Sequence, residues 1–458
     1  MENQFKWKNI NWQKVKLAVA ENQEKIYKAS KEKNLKKVHM LQLELLRNFD
    51  AKLLAVRRAT EIFKSQQPSV PISHTQKALL VLNLTIDSDG CSTGSSLECL
   101  SALEQPAKQL LAKQALEPQW EAIFESNSYS LKTNHYDLVQ KILSSFKTKP
   151  QWVFRIDFSN FAELALSSKK ILTKLATFPE MEKQIQHWLK QGLWVDFEKR
   201  PDSLCQFLQG QSLNCFSDFL INVAFHGLEN WISSWDNTRD QAGARSFSRE
   251  PIMVVRYKTS FLITTENQNL FDAIDPLIEE WCKQDIGFSP SKKTICFSSQ
   301  GFEYLGFQFI SIKQKTGIYQ IKVRPSKTSK KRLIETTRSI IQKNKAVSSY
   351  VLIRLLSRPI LGWANYFFFS DCKKDFSQLD AILFNQIRAW VFRRKSKGLA
   401  SRTKLKQKYF PEGKRYLFQG KWYQQNWILN GQMKDQNGIR TIFLPKMVWI
   451  IVLRRKTY

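Results

Sequence analysis

Apolar residues recur every three or four positions over most of this chain, a spacing that places them on one face of a helix. Over residues 12–30, for example, Val15 and Val19 fall on the same predicted face. The same spacing predicts further helices over 32–58, 104–125, 161–192, 216–235, 267–285, 328–344, 349–370 and 376–397. In the second of these helices we expect Leu35 and Phe49 to point inward. Helices are therefore predicted near both ends of the chain and between the strands of its centre.

Short apolar runs that suit strands interrupt this helical pattern. Residues 151–158 form one such run, which carries an acid, Asp157, at its end. Residues 252–264 predict a hairpin whose turn is Lys258-Thr259. A further strand pair is predicted over 295–297 and 304–310. Helices and antiparallel strands in separate stretches indicate an α+β fold with a mostly antiparallel sheet.

Residues 64–96 differ in composition from the helical stretches around them. They include Pro68, Pro71, Gly90 and Gly94 together with several serines. Proline, glycine and serine favour turns and loops. We therefore predict a loop here, at a junction between two domains.

Positive charge is concentrated at the two ends of the chain. The whole chain has 71 Lys and Arg against 40 Asp and Glu, a net charge of +31. Residues 1–64 contain 15 basic and 7 acidic residues, and residues 321–458 contain 31 and 6. The centre, 65–320, is near neutral, with 25 basic and 27 acidic residues. A protein this basic is expected to bind a polyanion, and its two ends are the expected contacts with phosphate groups.

The composition argues against several other classes of protein. The longest apolar run, 447–453, is too short to span a bilayer, so we expect no membrane partner. The 7 cysteines include no C-x-x-C pair and the 5 histidines form no zinc-binding spacing, which disfavours a disulfide framework or a zinc enzyme. The first residues lack the apolar segment of a secretory signal, so the protein is expected to act where it is made. We expect no protein-bound cofactor.

Short motifs follow one another in a fixed order along the chain. They lie at 52–58, 115–129, 301–307, 325–327, 360–366, 376–380 and 408–410. Their residues, such as Gly301-Phe-Glu-Tyr-Leu-Gly-Phe307 and Ile360-Leu-Gly-Trp-Ala-Asn-Tyr366, resemble those of the maturase–reverse transcriptases that group II introns encode. Each motif is weak alone, but their order extends over most of the chain.

The resemblance implies a division into four regions. Residues 1–63 would form an N-terminal helical RNA-binding region, and 64–320 the fingers and palm of a degenerate reverse transcriptase. Residues 321–410 would form the helical, thumb-like maturase domain, domain X, followed by a basic tail over 411–458. The implied partner is a structured intron RNA, with Mg²⁺ bound by the RNA and not by the protein.

The palm is where the sequence departs from the family pattern. A polymerase palm holds two metal ions with three carboxylates, and Asp157 matches the first of these. The family's Y-x-D-D motif supplies the other two, but this chain has Tyr257, Lys258, Thr259 and Ser260 at that position. Hydroxyl groups carry no charge and cannot replace carboxylates as Mg²⁺ ligands. We therefore expect no polymerase activity, with Asp157 a relic or a structural acid.

Endonuclease chemistry is not expected either. The family's nuclease module uses histidines and often paired cysteines, yet no histidine follows His226 and the last cysteine is Cys372. Alternatives to a splicing role stay open at this point. They are a divergent but active reverse transcriptase with relocated acids, and a general RNA chaperone.

Clusters of basic residues on the predicted helices mark the expected RNA contacts. They are Lys36, Lys37, Arg57, Arg58, Lys327, Lys330, Lys331, Arg332, Arg388, Arg393, Arg394, Lys395, Lys397, Arg402, Lys404 and Lys406. The aromatic run 363–369 has helical spacing, so we expect it to pack in a core rather than to stack on bases. The apolar segment 448–453 is interpreted as either a buried strand or a docking segment.

Together these features predict a maturase-like protein that binds a group II-type intron RNA and stabilises its splicing-competent fold. Other splicing factors are candidate partners. Lys outnumbers Arg by 49 to 22, a bias typical of AT-rich genomes. With the family resemblance, this bias favours an organelle, with a plastid ahead of a mitochondrion.

Overall fold

The computed structural model of the chain describes residues 7–66, 71–86, 98–124, 135–146, 149–158, 168–191, 216–234, 252–287, 289–315, 317, 319–394, 402–435 and 438–454. The chain divides into two compact units. The first unit comprises 1–139, 152–199 and 214–295, and the second comprises 140–151, 200–213 and 296–458. Within the described ranges, no helix combines the length and the apolar character needed to cross a membrane.

Helices and antiparallel strands both contribute to the fold, which confirms the α+β expectation. The described helices are Trp12–Lys31 (α1), Leu35–Arg47 (α2), Phe49–Gln66 (α3), His74–Asn83 (α4), Glu98–Glu121 (α5), His135–Ser145 (α6), Ser168–Leu175 (α7), Pro179–Gln191 (α8), Phe216–Phe225 (α9), Leu228–Ser234 (α10), Asn269–Trp281 (α11), Lys327–Lys343 (α12), Ser349–Phe367 (α13), Lys373–Phe392 (α14), Arg402–Tyr409 (α15) and Met447–Arg454 (α16). The described strands are Trp152–Asp157 (β1), Met253–Tyr257 (β2), Ser260–Thr265 (β3), Lys292–Phe297 (β4), Phe302–Tyr304 (β5), Phe307–Lys313 (β6), Tyr319–Pro325 (β7), Arg415–Phe418 (β8), Lys421–Gln424 (β9), Asn430–Asp435 (β10) and Gly438–Phe443 (β11).

The single helix predicted over 32–58 is wrong, because the chain forms α2 and α3 in its place. Asn48 separates them with an extended backbone, at φ −64° and ψ 127°. Its side-chain Oδ1 accepts a hydrogen bond from the Ala51 amide at 3.1 Å, which caps the start of α3. Leu35 and Phe49 each become the first residue of a helix and are 52% and 43% exposed, so neither faces inward as predicted.

The loop predicted over 64–96 contains helix α4. Ser73 accepts a hydrogen bond from the Gln76 amide at 3.1 Å, and the Gln76 side chain accepts one from the Ser73 amide at 2.8 Å. This reciprocal capping box starts the helix, since it satisfies two of the amides that have no partner inside it. The S-x-x-Q spacing that marks such a start was present in the sequence, but the surrounding prolines and glycines favoured a loop.

Helix α5 is the central helix of the first unit. It packs against α1, α2 and α3, and its residues Leu111, Ala112 and Ala115 are fully buried. Buried amide groups join the helices as well, because the Gln42 Nε2 donates to the Gln119 Oε1 at 2.7 Å. The N-terminal helical region therefore forms a packed body rather than isolated amphipathic helices.

The sheet of the first unit has the strand order β2-β3-β1-β4. The predicted strand over 151–158 and the predicted hairpin are both confirmed, with Lys258 and Thr259 between β2 and β3. Strand β1 pairs antiparallel with β3, so that Asp157 lies directly opposite Ser260. This register brings the end of β1 to the turn of the hairpin.

The segments 295–297 and 304–310 lie in strands as predicted, but the prediction that they pair with each other is wrong. The first segment belongs to β4, in the sheet with β1, whereas the second belongs to the separate sheet β5-β6-β7. Leu305 and Gly306, at φ 51° and 77°, form a two-residue turn that divides the second segment into β5 and β6. Strand partners are chosen by such turns, which a hydrophobic pattern does not reveal.

Helices α12, α13 and α14 form the helical part of the second unit. The Trp363 indole is fully buried and donates to the Ser329 Oγ at 3.0 Å, which joins α13 to α12. Phe367 and Phe376 lie next to it, with ring centroids 4.6 and 5.5 Å from that of Trp363. The expectation that the aromatic run packs in a core is confirmed for Trp363, Tyr366 and Phe367, which are all buried.

The apolar segment 448–453 lies in helix α16, so the strand interpretation is wrong. The Asp380 carboxylate on α14 accepts hydrogen bonds from the Met447 and Val448 amides at 3.1 and 3.3 Å. These bonds dock the start of α16 on α14 and satisfy two of its free amides. Burial raises the pKa of Asp380 to about 6, although the two amide bonds act in the opposite direction.

Candidate nucleic-acid interface

Asp157 lies at the end of β1, where the palm resemblance places the first metal-binding acid. Its Oδ1 accepts a hydrogen bond from the Ser260 Oγ at 2.6 Å. Its Oδ2 is 2.8 Å from the Arg155 Nε in a partly exposed ion pair. Both carboxylate oxygens therefore already have partners within the protein.

The turn beside Asp157 holds the residues that replace the family's acidic motif. Lys258 occupies the left-handed backbone region, at φ 55°, and its Nζ lies 3.2 Å from the Asp218 Oδ2. The Thr259 carbonyl accepts a hydrogen bond from the Phe158 amide at 3.0 Å. Each acid near the turn is thus paired with a cation of the chain.

This donor set does not fit two divalent ions. Two carboxylates that are each paired with a cation of the chain, together with hydroxyl groups, cannot balance the charge of a two-metal centre. In the described part of the chain, no group of three or more His, Cys, Asp or Glu side chains is arranged to hold a metal ion. The local geometry suits a structural role for Asp157 in holding the hairpin against β1.

The N-terminal cations differ in their surroundings. Arg57 and Arg58 share the Glu61 carboxylate, at 3.1 and 3.3 Å, and the Arg57 guanidinium also lies over the Trp12 ring. Lys37 pairs with Glu32 at 3.3 Å, whereas Lys36 is exposed without an acidic partner among the described residues. Surface pairs of this kind are weak, so phosphate groups can replace the acids.

The cations at the start of α12 fall into two kinds. The Lys330 Nζ lies 2.6 Å from the Asp375 Oδ1 and ties α12 to α14. Lys331 is 3.9 Å from Glu335 on an exposed face. Lys327 and Arg332 are exposed, and no acid of the described chain pairs with them.

The end of α14 shows the same division. The Arg394 guanidinium stacks 3.7 Å from the centre of the Trp390 ring and donates to the carbonyls of Lys345 and Val347, so it joins α14 to the loop before α13. Arg388 and Arg393 are exposed and have no acidic partner in the described ranges. The predicted contacts Lys395 and Lys397 lie outside the described residues.

Helix α15 continues this basic surface. Arg402 and Lys404 are exposed and without an acidic partner in the described part of the chain. Lys406 pairs with Glu412 and lies over the Trp427 ring at 4.6 Å, which gives it a role in packing.

The structure therefore separates the predicted contacts into cations already engaged within the protein and cations open to a partner. The open cations are Lys36, Lys327, Arg332, Arg388, Arg393, Arg402 and Lys404. The prediction missed Arg354 and Arg358, which lie one turn apart on an exposed face of α13. Their i, i+4 spacing in the sequence indicates that both arginines lie on one face of the helix.

Comparison with known proteins agrees with the order of the sequence motifs. The family profile for the N-terminal domain of reverse transcriptase matches residues 7–72, and that for the group II intron maturase-specific domain matches residues 330–410. Maturase-like protein 1 of Euglena gracilis is 23% identical over 403 residues, which cover 80% of this chain and 78% of that protein. The chain is therefore similar to reverse transcriptases over its N-terminal helices and to group II intron maturases over residues 330–410.

Proposed function

We propose that this chain binds a group II intron RNA and stabilises the fold in which that RNA splices, without polymerase or endonuclease activity of its own. The observation that carries the proposal is the set of open cations in α12, α14 and α15, within and beside the maturase-specific match. Residues 321–458, with 31 basic and 6 acidic residues, supply the surrounding positive potential. Exposed cations without acidic partners are available to phosphates, and binding releases the counterions that the RNA had condensed.

The division of labour places the chemistry on the RNA. Packed intron helices repel one another through their phosphates, and protein cations lower that repulsion. Mg²⁺ would remain on the RNA. Regions 1–63 and 321–410 would make the main contacts, with 64–320 as a degenerate fingers–palm scaffold.

The surroundings of Asp157 support a scaffold role over the alternative of an active reverse transcriptase. Its partners are Arg155 and Ser260, and the adjacent Lys258 adds positive charge where metal ions would have to bind. Primer extension with purified protein, template, dNTPs and Mg²⁺ tests this part. Incorporation of nucleotides would overturn it.

We further propose an organellar location, a plastid ahead of a mitochondrion, on the Lys bias and the family. Other splicing factors are candidate partners there. Crosslinking of RNA to the native protein, followed by sequencing, tests the target class. Reads concentrated in one or a few introns support a maturase, whereas reads spread over abundant RNAs indicate a general RNA chaperone.

A charge-matched pair of variants tests which cations contact the RNA. The first variant changes four open cations to Gln: Arg388, Arg393, Arg402 and Lys404. The control changes four exposed cations of the central region 64–320, which is not assigned to RNA contact: Lys169, Lys183, Lys190 and Lys283. Both lose the same net charge, so a difference between them reflects position.

The readout is the salt dependence of affinity for transcribed group II introns, with an unrelated structured RNA of equal length as competitor. Neutralising four phosphate contacts should lower the slope of log K against log salt by roughly three, on a scale of about 0.7 per contact. The control should change the slope by much less. Equal loss in both variants would show that binding follows net charge alone and would contradict the assignment.

A further inference from the structure

The hairpin β8–β9 exposes an aromatic and an aliphatic side chain side by side. Leu417 and Trp422 are cross-strand partners on its outer face, and they are 50% and 63% exposed. Large apolar side chains are normally covered, since each buried one stabilises a fold by about 1.5–3 kcal/mol. An exposed pair on one small hairpin therefore calls for an explanation beyond folding.

The opposite face of the hairpin holds it rigidly in the second unit. The Tyr423 ring stacks on Trp449 of α16, with centroids 4.4 Å apart and planes at 15°. Tyr416 is buried and lies against the same indole, with ring centroids 6.4 Å apart. The outer face is thus a fixed platform, and ordering it on binding costs little conformational entropy.

The turn of the hairpin adds to this rigidity. Gln419 and Gly420 both have positive φ, at 48° and 78°. A two-residue turn with two left-handed residues matches the natural twist of the strands that it joins. The direction in which Trp422 points is therefore set by the backbone.

The charge around the outer face selects the chemistry of a partner. Arg415 lies on the same face as Leu417, two positions earlier in β8, and is exposed without an acidic partner in the described chain. Residues 415–424 contain two basic residues, Arg415 and Lys421, and no acidic residue. An aromatic face beside a cation fits an unpaired nucleotide, whose base stacks while its phosphate meets the charge.

We propose that the outer face of hairpin β8–β9 binds unpaired RNA, with Trp422 stacked on a base, Leu417 beneath the base's edge and Arg415 on a flanking phosphate. The proposal deepens the proposed function and rests on it, because it assigns a single-stranded element of the RNA to the basic tail. The proposal gives this surface a different role from the open cations of α12, α14 and α15, which would contact only phosphates.

The test compares three substitutions at Trp422 in the full chain. Trp422→Phe keeps an aromatic ring, Trp422→Leu keeps apolar surface without a ring, and Trp422→Ala removes both. The matched control is Ile439→Ala, which truncates a side chain on β11 that is 62% exposed. Both positions of change are on the surface, so thermal unfolding of all four variants should stay near that of the wild type.

The probes are a short oligouridylate and an RNA duplex of the same length, measured by fluorescence anisotropy at physiological salt. Stacking of one base predicts that Trp422→Ala weakens oligouridylate binding by roughly 5- to 150-fold, with little change in duplex binding. Trp422→Leu should lose as much as Trp422→Ala, and Trp422→Phe should retain most of the affinity. Ile439→Ala should match the wild type.

Three results would overturn the stacking proposal, and they differ from failure of the proposed function. Unchanged oligouridylate binding in Trp422→Ala removes the surface from RNA binding. Full oligouridylate binding in Trp422→Leu shows that apolar surface without a ring is sufficient, which removes base stacking as the mode of contact. If the wild type binds neither probe nor intron transcripts, the proposed function fails and this proposal fails with it.

Discussion

Substitution of Asp157 separates a structural acid from a metal ligand. Asp157→Ala removes the acceptor of the Ser260 hydrogen bond and the partner of Arg155. Asp157→Asn keeps an oxygen that can accept from Ser260 but removes the charge. If the acid is structural, both variants lose stability and neither loses RNA binding or splicing assistance.

The magnitude follows from the two contacts. The ion pair is partly exposed, with Arg155 at 34% and Asp157 at 20%, so solvent limits it to about 0–1 kcal/mol. The Ser260 bond to a charged acceptor, at 2.6 Å, contributes about 1.5–3 kcal/mol. Asp157→Ala should therefore cost about 2–3 kcal/mol and Asp157→Asn about 1 kcal/mol. At roughly 2–4 °C per kcal/mol, the alanine variant should unfold about 4–12 °C lower.

Thermal unfolding of both variants, with and without Mg²⁺, is the assay. Ser260→Ala supplies the double-mutant cycle, in which the pair should show a coupling free energy of about 1 kcal/mol or more. Splicing assistance is measured below the unfolding range, where it should stay within about twofold of the wild type. The reasoning is refuted if Mg²⁺ stabilises the wild type but not Asp157→Ala, since that would reveal a metal ligand.

Three further substitutions test contacts inside the units, one in the first unit and two in the second. Arg256→Met should lower the free energy of unfolding by about 3–5 kcal/mol in chemical denaturation. The substitution leaves the charge of the fully buried Glu229 without its Arg256 partner, whose Nε is 2.5 Å from the Glu229 Oε1. Adding Glu229→Gln removes that charge and should recover much of the loss. Asp380→Asn should remove a pH dependence of the free energy of unfolding. The folded pKa of Asp380, about 6, exceeds its ordinary value of 3.8, so the acid stabilises the fold most below pH 4. This stabilisation declines by about 3 kcal/mol as the pH rises through 6. The difference in stability between wild type and Asp380→Asn, measured from pH 4 to 7, should fall accordingly, and a constant difference would contradict it. Gly431→Ala would place a Cβ 2.5 Å from the Tyr350 amide nitrogen, so it should destabilise the second unit by about 1–3 kcal/mol in chemical denaturation, and an unchanged stability would contradict this packing.

The sequence predicted the helices in which apolar residues recur at helical spacing without interruption. Helix α1 and the three helices of the maturase-specific region have this spacing, and their positions followed from it. The errors arose where local side-chain chemistry overrode the pattern. Asn48 capped a new helix inside an apparently continuous stripe, and Ser73 with Gln76 started a helix inside an apparent loop.

The segment 448–453 shows a different limit. Six consecutive apolar residues satisfy a strand and a buried helix equally well, because neither face is marked by polar positions. The carboxylate of Asp380, far away in the chain, accepts the amides that begin α16 and so favours the helix.

The sequence predicted the positive charge of the candidate site, but not which of its basic residues are open to a partner. Among the predicted contacts, Lys330 and Arg394 join helices and loops within the protein instead of facing outward. Trp422 has no periodic signal in the sequence, because the strand that contains it is only four residues long and places Tyr423 directly after it. Its exposure became visible only with the sheet register of the hairpin.

By itself, the sequence determined the helical and strand periods, the separation of charge along the chain and the absence of acids at positions 259 and 260. These are properties of residue order, so they can be read without a fold. Only the tertiary structure decided which cations are already paired and which aromatic side chains are covered. Pairing and burial depend on residues that are distant in the chain, such as Asp375 for Lys330 and Trp449 for Tyr423, and no local pattern specifies them.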